Sequence, residues 1–159
     1  KGFLYAGVMI RNNEPYVLEF NARMGDPECQ PIMMRMDFDL YDYFVASVDG
    51  TLSTMPKPKW KNQSSVCIVL AAKGYPESYP TGEEITGFDL IPKNSIVFHA
   101  GTKKIDKKIF SNGGRVLGVT ALGDTLTLAI SNAYAAVEKI TWSSKFYRKD
   151  IGKKGLSYL

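Results

Sequence analysis

The sequence predicts an α+β protein: antiparallel strands plus helices near the start, then a small β-rich region with one long helix. Three observations carry this expectation. Two alternating runs flank a short polar turn in the first twenty residues. Four apolar strand-like runs lie beyond residue 63, with Gly- and Pro-rich turns between them. One apolar stripe at helical spacing follows the last of those strands.

Taken in order, "FLYAGVMI" and "YVLEF" read as two strands, and "RNNEP" between them has hairpin chemistry. Alternation puts Tyr16, Leu18 and Phe20 on one face of the second strand and Val17, Glu19 and Asn21 on the other. Asp26 is then placed as a helix N-cap, with Pro27 at the first helical position and Glu28 in the first turn, and Pro31 shortens or kinks that helix. A better helix starts near Asp39, with Leu40, Phe44 and Val48 as its apolar stripe and Gly50 to end it. The stretch "TLSTMPKPKWKNQ" has no periodicity and reads as a linker or long surface crossing, which divides the chain into domains 1–55 and 56–159. Beyond it come the strands "SSVCIVLAA", "SIVFHAG", "KKIFSN" and "RVLGVTALG". A helix from about Asp124 to Ile140 buries Leu126, Ile130, Ala133, Val137 and Ile140, with Asp124 as its cap.

Composition excludes several classes. At 159 residues the chain can bury one ample core or two small ones. Two cysteines, Cys29 beside a polar turn and Cys67 in an apolar run, are poor material for a disulfide framework or a zinc site; both read as free thiols, with Cys67 in the core. The single histidine, His99, cannot build a multi-histidine metal cluster and reads as a hydrogen-bonded strand or strand-end residue. No apolar run is long enough to span a membrane, so a soluble cytoplasmic protein is expected. The net charge of +4 comes from scattered lysines, densest in "KPKWK", "KKIDKK" and "RKDIGKK", which read as solvated loops and tails. The chain opens on Lys1 with a strand-like pattern almost at once, as a piece of a longer chain would.

The segment "VLEFNARMGDPE" carries the candidate chemistry. Glu19 and Asn21, two residues apart on a strand, have Cα atoms roughly 6.6 Å apart on one face, so a carboxylate and an amide oxygen reach one small ion cluster. Mg²⁺ prefers such hard oxygen donors and takes one or two protein groups plus nucleotide phosphates. Arg23, if the strand continues, points the same way and offers a bidentate fork to phosphate or carboxylate. A polar strand face turned to water satisfies the same alternation, and Asp26-Pro27-Glu28 can be a helix start only.

In order, "YAGVMI", "VLEFNARMGDPE", "FHAGT", "NGGRVLGVTALGDTL" and "FYRKDIG" closely resemble the C-terminal part of the phosphoribosylamine–glycine ligase family, of the ATP-grasp superfamily. The resemblance covers essentially the whole chain. It implies the end of an ATP-grasp catalytic domain followed by a β-rich C-terminal domain. The implied reaction joins glycine to 5-phosphoribosylamine at the expense of ATP. It also implies that Glu19 and Asn21 hold a Mg²⁺ or Mn²⁺ ion on the ATP phosphates. Arg23 would neutralise the transferring phosphoryl group as a catalytic and ATP-contacting residue, and the turn Gly25, Asp26, Pro27, Glu28 would lie at the substrate side. Many superfamily members carry a second metal carboxylate on the preceding strand, where this chain has Gly7, so a single protein-held ion is expected. The nucleotide-binding subdomains of such a ligase would precede Lys1, and the missing N-terminal part is an expected partner. The chain by itself is then expected to be inactive. His99, Thr102, Arg115 and Asp150 read as hydrogen-bonding residues that shape the C-terminal domain. Two other readings stay open: a different ATP-grasp ligase of purine or carboxylase metabolism, or a basic module that binds nucleic acid through "KPKWK" and "RKDIGKK". The leading reading involves no nucleic acid and no membrane.

Overall fold

Adjacent asparagines decide how the chain begins. Asn12 and Asn13 both take positive φ, 52° and 61°, as a two-residue hairpin turn requires. They join β1 (Tyr5–Arg11) to its antiparallel partner β2 (Glu14–Asn21). The computed structural model describes residues 1–158. The chain forms two compact units: one takes Lys1–Cys29 and Met36–Lys61, the other Gln30–Arg35 and the chain from Asn62 onward.

In the first unit, α2 (Leu40–Asp49) follows α1 (Cys29–Arg35), the short helix through which the chain crosses into the second unit and back. The limits of α2 are those its caps dictate: the Asp39 side chain accepts a bond from the Tyr41 amide, and Gly50, at φ 78°, returns its N–H to the Ala46 carbonyl. The expected apolar stripe is not the face this unit buries. Ala46 is buried, with Tyr43 half-buried a turn earlier, whereas Phe44 and Val48 are exposed and Phe44 stands edge-on to Phe3. The segment after α2 is a surface crossing pinned at named points: Tyr43 Oη donates to the Pro56 carbonyl at 2.8 Å, and the Asp37 amide donates to the Lys59 carbonyl at 3.1 Å. Trp60 stands edge-on to Phe38.

The second unit is built on β3 (Ser64–Ala72), whose burial alternates residue by residue. Val66, Ile68, Leu70 and Ala72 enter the core. Cys67 takes the opposite phase and is half-buried on the other face, so it is not a core thiol as its apolar neighbours suggest; neither cysteine forms a disulfide. After β4 (Glu84–Ile85), β5 (Ser95–His99), β6 (Thr102–Ile105) and β7 (Lys108–Ser111) comes β8 (Arg115–Gly123). Strands β5, β8 and β3 form one antiparallel sheet, completed by β9 (Lys145–Phe146) beyond β3, and β4, β7 and β6 form another. β4, β6 and β9 escape sequence reading: β6 is a lysine-bearing edge with no apolar alternation, and β4 and β9 are two residues long.

Helix α3 (Leu126–Val137) closes the core with Ala129, Ala133, Ala136 and Val137, and Ile140 follows it inward. Its cap is Thr125, whose hydroxyl accepts from the Leu128 amide at 3.2 Å. Asp124, the expected cap, instead accepts from Gln63 Nε2 at 2.8 Å. At the other end Lys145 Nζ reaches the Ile140 carbonyl at 2.6 Å and the Val137 carbonyl at 3.2 Å, a cation on orphan carbonyls where the helix dipole favours it. The C-terminal turn and α4 (Lys153–Leu156) are tied back through Tyr134, whose hydroxyl donates to the Arg148 carbonyl and accepts from the Ile151 amide.

Tyr147 supplies a pH signature for this unit. Its hydroxyl donates to Glu138 Oε1, and that bond, with smaller contributions from burial and the Glu138 charge, pushes the phenol up to about 12 from its ordinary 10.0. A raised folded-state value means that the stabilisation is complete below pH 10 and is lost as pH climbs through about 12. Titration by ultraviolet absorbance should therefore show a late-ionising tyrosine that Glu138→Gln brings back among the others. Tyrosines that ionise together in the unmodified protein would show that the bond does not persist in solution.

Candidate functional site

The opening hairpin positions the candidate residues, and one irregularity decides how. From the Asn12-Asn13 turn, regular pairing would set Glu19 opposite Ala6. The register instead shifts between Gly7 and Val8, leaving Leu18 as an extra residue in β2 and bringing Glu19 opposite Gly7, with Asn21 opposite Tyr5. Glu19 and Asn21 therefore share a face with Gly7, Tyr5, Met9 and Tyr16. Val17, which uninterrupted alternation puts beside Glu19, is on the other face.

Gly7 fits this placement by what it lacks. A Cβ there would lie 3.1 Å from Glu19 Cγ and 3.7 Å from the Tyr5 ring, so the carboxylate stem crosses the partner strand over bare backbone. The residue facing Glu19 thus carries no acid. Among the described residues no group of three or more His, Cys, Asp or Glu side chains is placed to hold a metal ion. A carboxylate and an amide oxygen on one strand face, with no acid opposite, suit an ion that takes most of its ligands from a nucleotide and water.

β2 ends at Asn21, so Arg23 is not carried on the strand with Glu19. It sits in a bend, exposed, and its Nη1 donates to the Met24 carbonyl at 2.8 Å. The following turn also differs from expectation. α1 starts at Cys29 and not at Pro27, the Asp26-Pro27 peptide is cis, and Gly25 to Glu28 form a turn before the helix. The Cys29 amide is bound to the Gly25 carbonyl at 3.0 Å and Pro27 has no amide hydrogen, so this turn presents fewer backbone donors than a helix start would. Pro31 falls in the first turn of α1, where its missing N–H costs little, and the helix is seven residues long.

Glu28 folds back over the turn: its Oε2 lies 2.3 Å from where a Gly25 Cβ would stand. Its negative charge, followed by desolvation and the charge of Glu19, raises the Tyr5 hydroxyl above its ordinary value. Tyr5, Glu19, Asn21 and Glu28 thus form one neighbourhood within the first unit. Sequence reading missed Tyr5, because its place opposite Asn21 depends on the bulge.

The other polar residues marked in the sequence have partners of a structural kind. His99 ends β5, stacks on Phe88 with ring centroids 5.3 Å apart, and shares a hydrogen bond with the Thr102 hydroxyl at 3.1 Å. Asp150 is clamped by Arg148 through two bonds of 2.9 and 2.6 Å, which hold its carboxyl below the usual range. Arg115 opens β8 opposite Ala71.

A hairpin with Glu19 and Asn21 on one face, followed in sequence by a β-rich unit with one long helix, belongs to a class of protein: the end of an ATP-grasp domain followed by a C-terminal domain. Residues 65–154 match the family model described as phosphoribosylglycinamide synthetase, C domain, and residues 1–29 match the ATP-grasp (A) domain of the same synthetase. The chain belongs to the phosphoribosylglycinamide synthetase family. It is 50% identical over 157 residues to a phosphoribosylamine–glycine ligase of Pasteurella multocida, covering 98% of this chain and 36% of that protein. It is 47% identical over 158 residues to the ligase of the same name in Rhodopirellula baltica, with the same shares covered. The crystal structure of phosphoribosylamine–glycine ligase from Thermotoga maritima superposes with a TM-score of 0.73 at 36% identity, over 94% of this chain and 37% of that one. The chain spans little more than a third of the length of these relatives. Among the described residues no helix is long and apolar enough to cross a membrane.

Proposed function

We propose that the chain is the C-terminal part of a ligase that uses ATP to join glycine to 5-phosphoribosylamine, giving glycinamide ribonucleotide, ADP and phosphate in purine biosynthesis. The observation that carries this reading is the Glu19–Asn21 pair on one hairpin face opposite Gly7, in a chain of this family. Residues 1–55 then end the catalytic domain, residues 56–159 form the C-terminal domain, and the reaction belongs to the cytoplasm.

In this reading Glu19 and Asn21 supply two oxygens to one Mg²⁺ or Mn²⁺ ion, which when bound neutralises charge on the ATP phosphates. A glycine carboxylate oxygen attacks the γ-phosphorus and the bond to ADP breaks, leaving glycyl phosphate. The ribosylamine nitrogen then attacks the acyl carbon, phosphate leaves with the carbon–oxygen bond pair, and the nitrogen gives up one proton to solvent. Arg23 keeps a hydrogen bond to the Met24 carbonyl, and its guanidinium faces the phosphoryl group during both steps. The Gly25, Asp26, Pro27, Glu28 turn borders the substrate.

Exposed apolar side chains on the hairpin support the remainder of the ligase as a partner. Val8, Ile10, Val17 and Phe20 on one hairpin face, and Met9 and Tyr16 on the other, are each more than half exposed on a ribbon too thin to cover either face. Packing against the missing part would cover these faces and complete the nucleotide site.

The test is ADP release by the chain extended to the length of its relatives, with Mg²⁺ and ATP, adding glycine and phosphoribosylamine together and then omitting each. Release that needs both substrates is the expected result. A requirement for a different acid or amine would assign the chain to another ATP-grasp reaction. The 159-residue chain alone is expected to release none, and sustained turnover by it would overturn the reading that its active site is incomplete.

A further inference from the structure

Away from the candidate site, the loop between β7 and β8 sets an exposed amide side chain beside an open backbone nitrogen. Asn112 and Gly113 belong to neither strand, and Asn112 is exposed. The amide carbon of an asparagine is electrophilic, and the backbone nitrogen of the next residue can close a five-membered ring on it. That nitrogen must be unshielded and its hydrogen unengaged. Glycine leaves it unshielded, having no Cβ and a wide choice of φ and ψ. Asn112-Gly113 is the one Asn-Gly step in the sequence. Among the described residues no hydrogen bond takes up the Gly113 amide, although the groups around it are held: the Asn112 amide donates to the Gly101 carbonyl at 2.7 Å, and the Gly114 carbonyl accepts from the Ala72 amide at 2.8 Å.

The fold closes the same route at the chain's comparable steps. Asp49-Gly50 has a glycine nitrogen, but that N–H is bound to the Ala46 carbonyl at the end of α2. At Asn94 the following amide is held by the Pro92 carbonyl at 2.9 Å, and Ser95 is buried. Asn132 lies inside α3, and its Nδ2 donates to the Leu122 carbonyl at 2.8 Å.

We propose that Asn112 is a self-modification site, at which the Gly113 nitrogen attacks the Asn112 side chain and the loop converts to aspartate and isoaspartate. The Gly113 nitrogen gives its proton to solvent base and bonds to Cγ. The bond from Cγ to Nδ2 breaks, and ammonia leaves with a proton from water. Water then opens the ring. Attack at Cγ leaves a normal aspartate; attack at the main-chain carbon leaves the chain running through Cβ and Cγ, with a free α-carboxylate. The second product lengthens the backbone by one carbon where little room exists, because Gly113 Cα lies 2.8 Å from where a Gly101 Cβ would stand. The Arg115 carbonyl, two residues on, accepts from the Gly101 amide at 2.9 Å and anchors the start of β8. The free α-carboxylate is the group that isoaspartyl carboxyl methyltransferases recognise, so an enzyme of that class is the expected partner of the aged chain.

The test incubates the folded chain, extended to the length of its relatives, in mildly acidic and mildly alkaline buffer. Peptide mass spectrometry locates the change, and an isoaspartyl methyltransferase counts the isoaspartate. A gain of about 1 Da should appear in the peptide holding Asn112 and not in those holding Asn94 or Asn132. Methyl uptake should appear at position 112 and not at Asp49. Both should be faster in alkaline buffer, because the attacking nitrogen must lose its proton. Asn112→Gln, which would have to close a larger ring, should take up no methyl groups. The aged protein should unfold at a midpoint lower by about 2 to 8 °C, whereas Asn112→Gln keeps its midpoint and fresh Asn112→Asp, which adds the charge without the extra carbon, stays close to the unaged protein. An Asn112 that converts after denaturation but not in the folded chain would overturn the proposal, since the fold would then hold the side chain away from Gly113. Equal conversion at Asn94 or Asp49 would overturn the selection of this loop. Aspartate without isoaspartate would overturn the ring route in favour of direct hydrolysis.

Discussion

On the proposed ligase reading, Glu19→Ala in the chain extended to the length of its relatives is expected to lower kcat/KM by roughly a hundred- to a thousandfold, the loss typical of removing one group that stabilises charge at a reacting centre. The side chain is exposed on a two-stranded ribbon, so its removal opens no cavity, and the stability change should stay within about 0.5 kcal/mol. Loss of a metal oxygen should also raise the Mg²⁺ concentration needed for half-maximal rate. The register across the hairpin sharpens the expectation: with Gly7 opposite, no neighbouring acid on the facing strand can take over the carboxylate's work. Steady-state ADP release across a Mg²⁺ titration, paired with thermal unfolding, separates the two effects. A near-normal rate with unchanged metal dependence would show Glu19 to be an ordinary polar strand residue. Equal losses of rate and stability would make it a structural one.

Gly87→Ala should damage the β-rich unit severely, by about 3 to 5 kcal/mol, from two costs acting together. Gly87 has φ +94°, a backbone region that side chains avoid, and a Cβ there would stand 1.9 Å from the Lys139 carbonyl oxygen. That carbonyl is backbone just beyond α3, between Val137 and the fully buried Ile140, so it cannot move aside without dragging core residues. Thr86 and Thr141 bond each other's backbone in both directions at 3.0 and 3.1 Å beside the clash, which fixes the two segments together. Such a loss is a large part of the stability of an ordinary domain. Hydrogen exchange of β8 and α3 amides, compared between the unmodified protein and the variant, would report it: protection should fall by several orders of magnitude. Unaltered protection would mean that the segment at Lys139 yields at little cost.

Much of this architecture was legible in the order of residues. Asn12-Asn13 fixed the hairpin turn, Asp39 and Gly50 bounded α2, and the alternation of "SSVCIVLAA" and the run "RVLGVTALG" placed β3 and β8 at their observed limits. These features follow from the conformations of one or a few neighbouring residues, so local sequence suffices. That Glu19 and Asn21 share a face was legible for the same reason, since residues two apart on a strand do so wherever the strand packs.

What lay beyond sequence reading depends on residues far apart in the chain. The extra residue at Leu18 sets Glu19 over Gly7 and brings Tyr5 opposite Asn21; pairing energies along the whole hairpin decide it. The fold-back of Glu28 depends on the room above Gly25, and the choice of Thr125 over Asp124 as cap depends on Gln63 claiming the aspartate. The apolar stripe of α2 was read correctly as apolar but not as buried, because burial depends on what else is present to pack on it. Periodicity and caps act within a turn or two of backbone, and the sequence by itself determined what they govern. Register, side-chain competition and burial are settled by long-range contacts, and those only the tertiary structure decided.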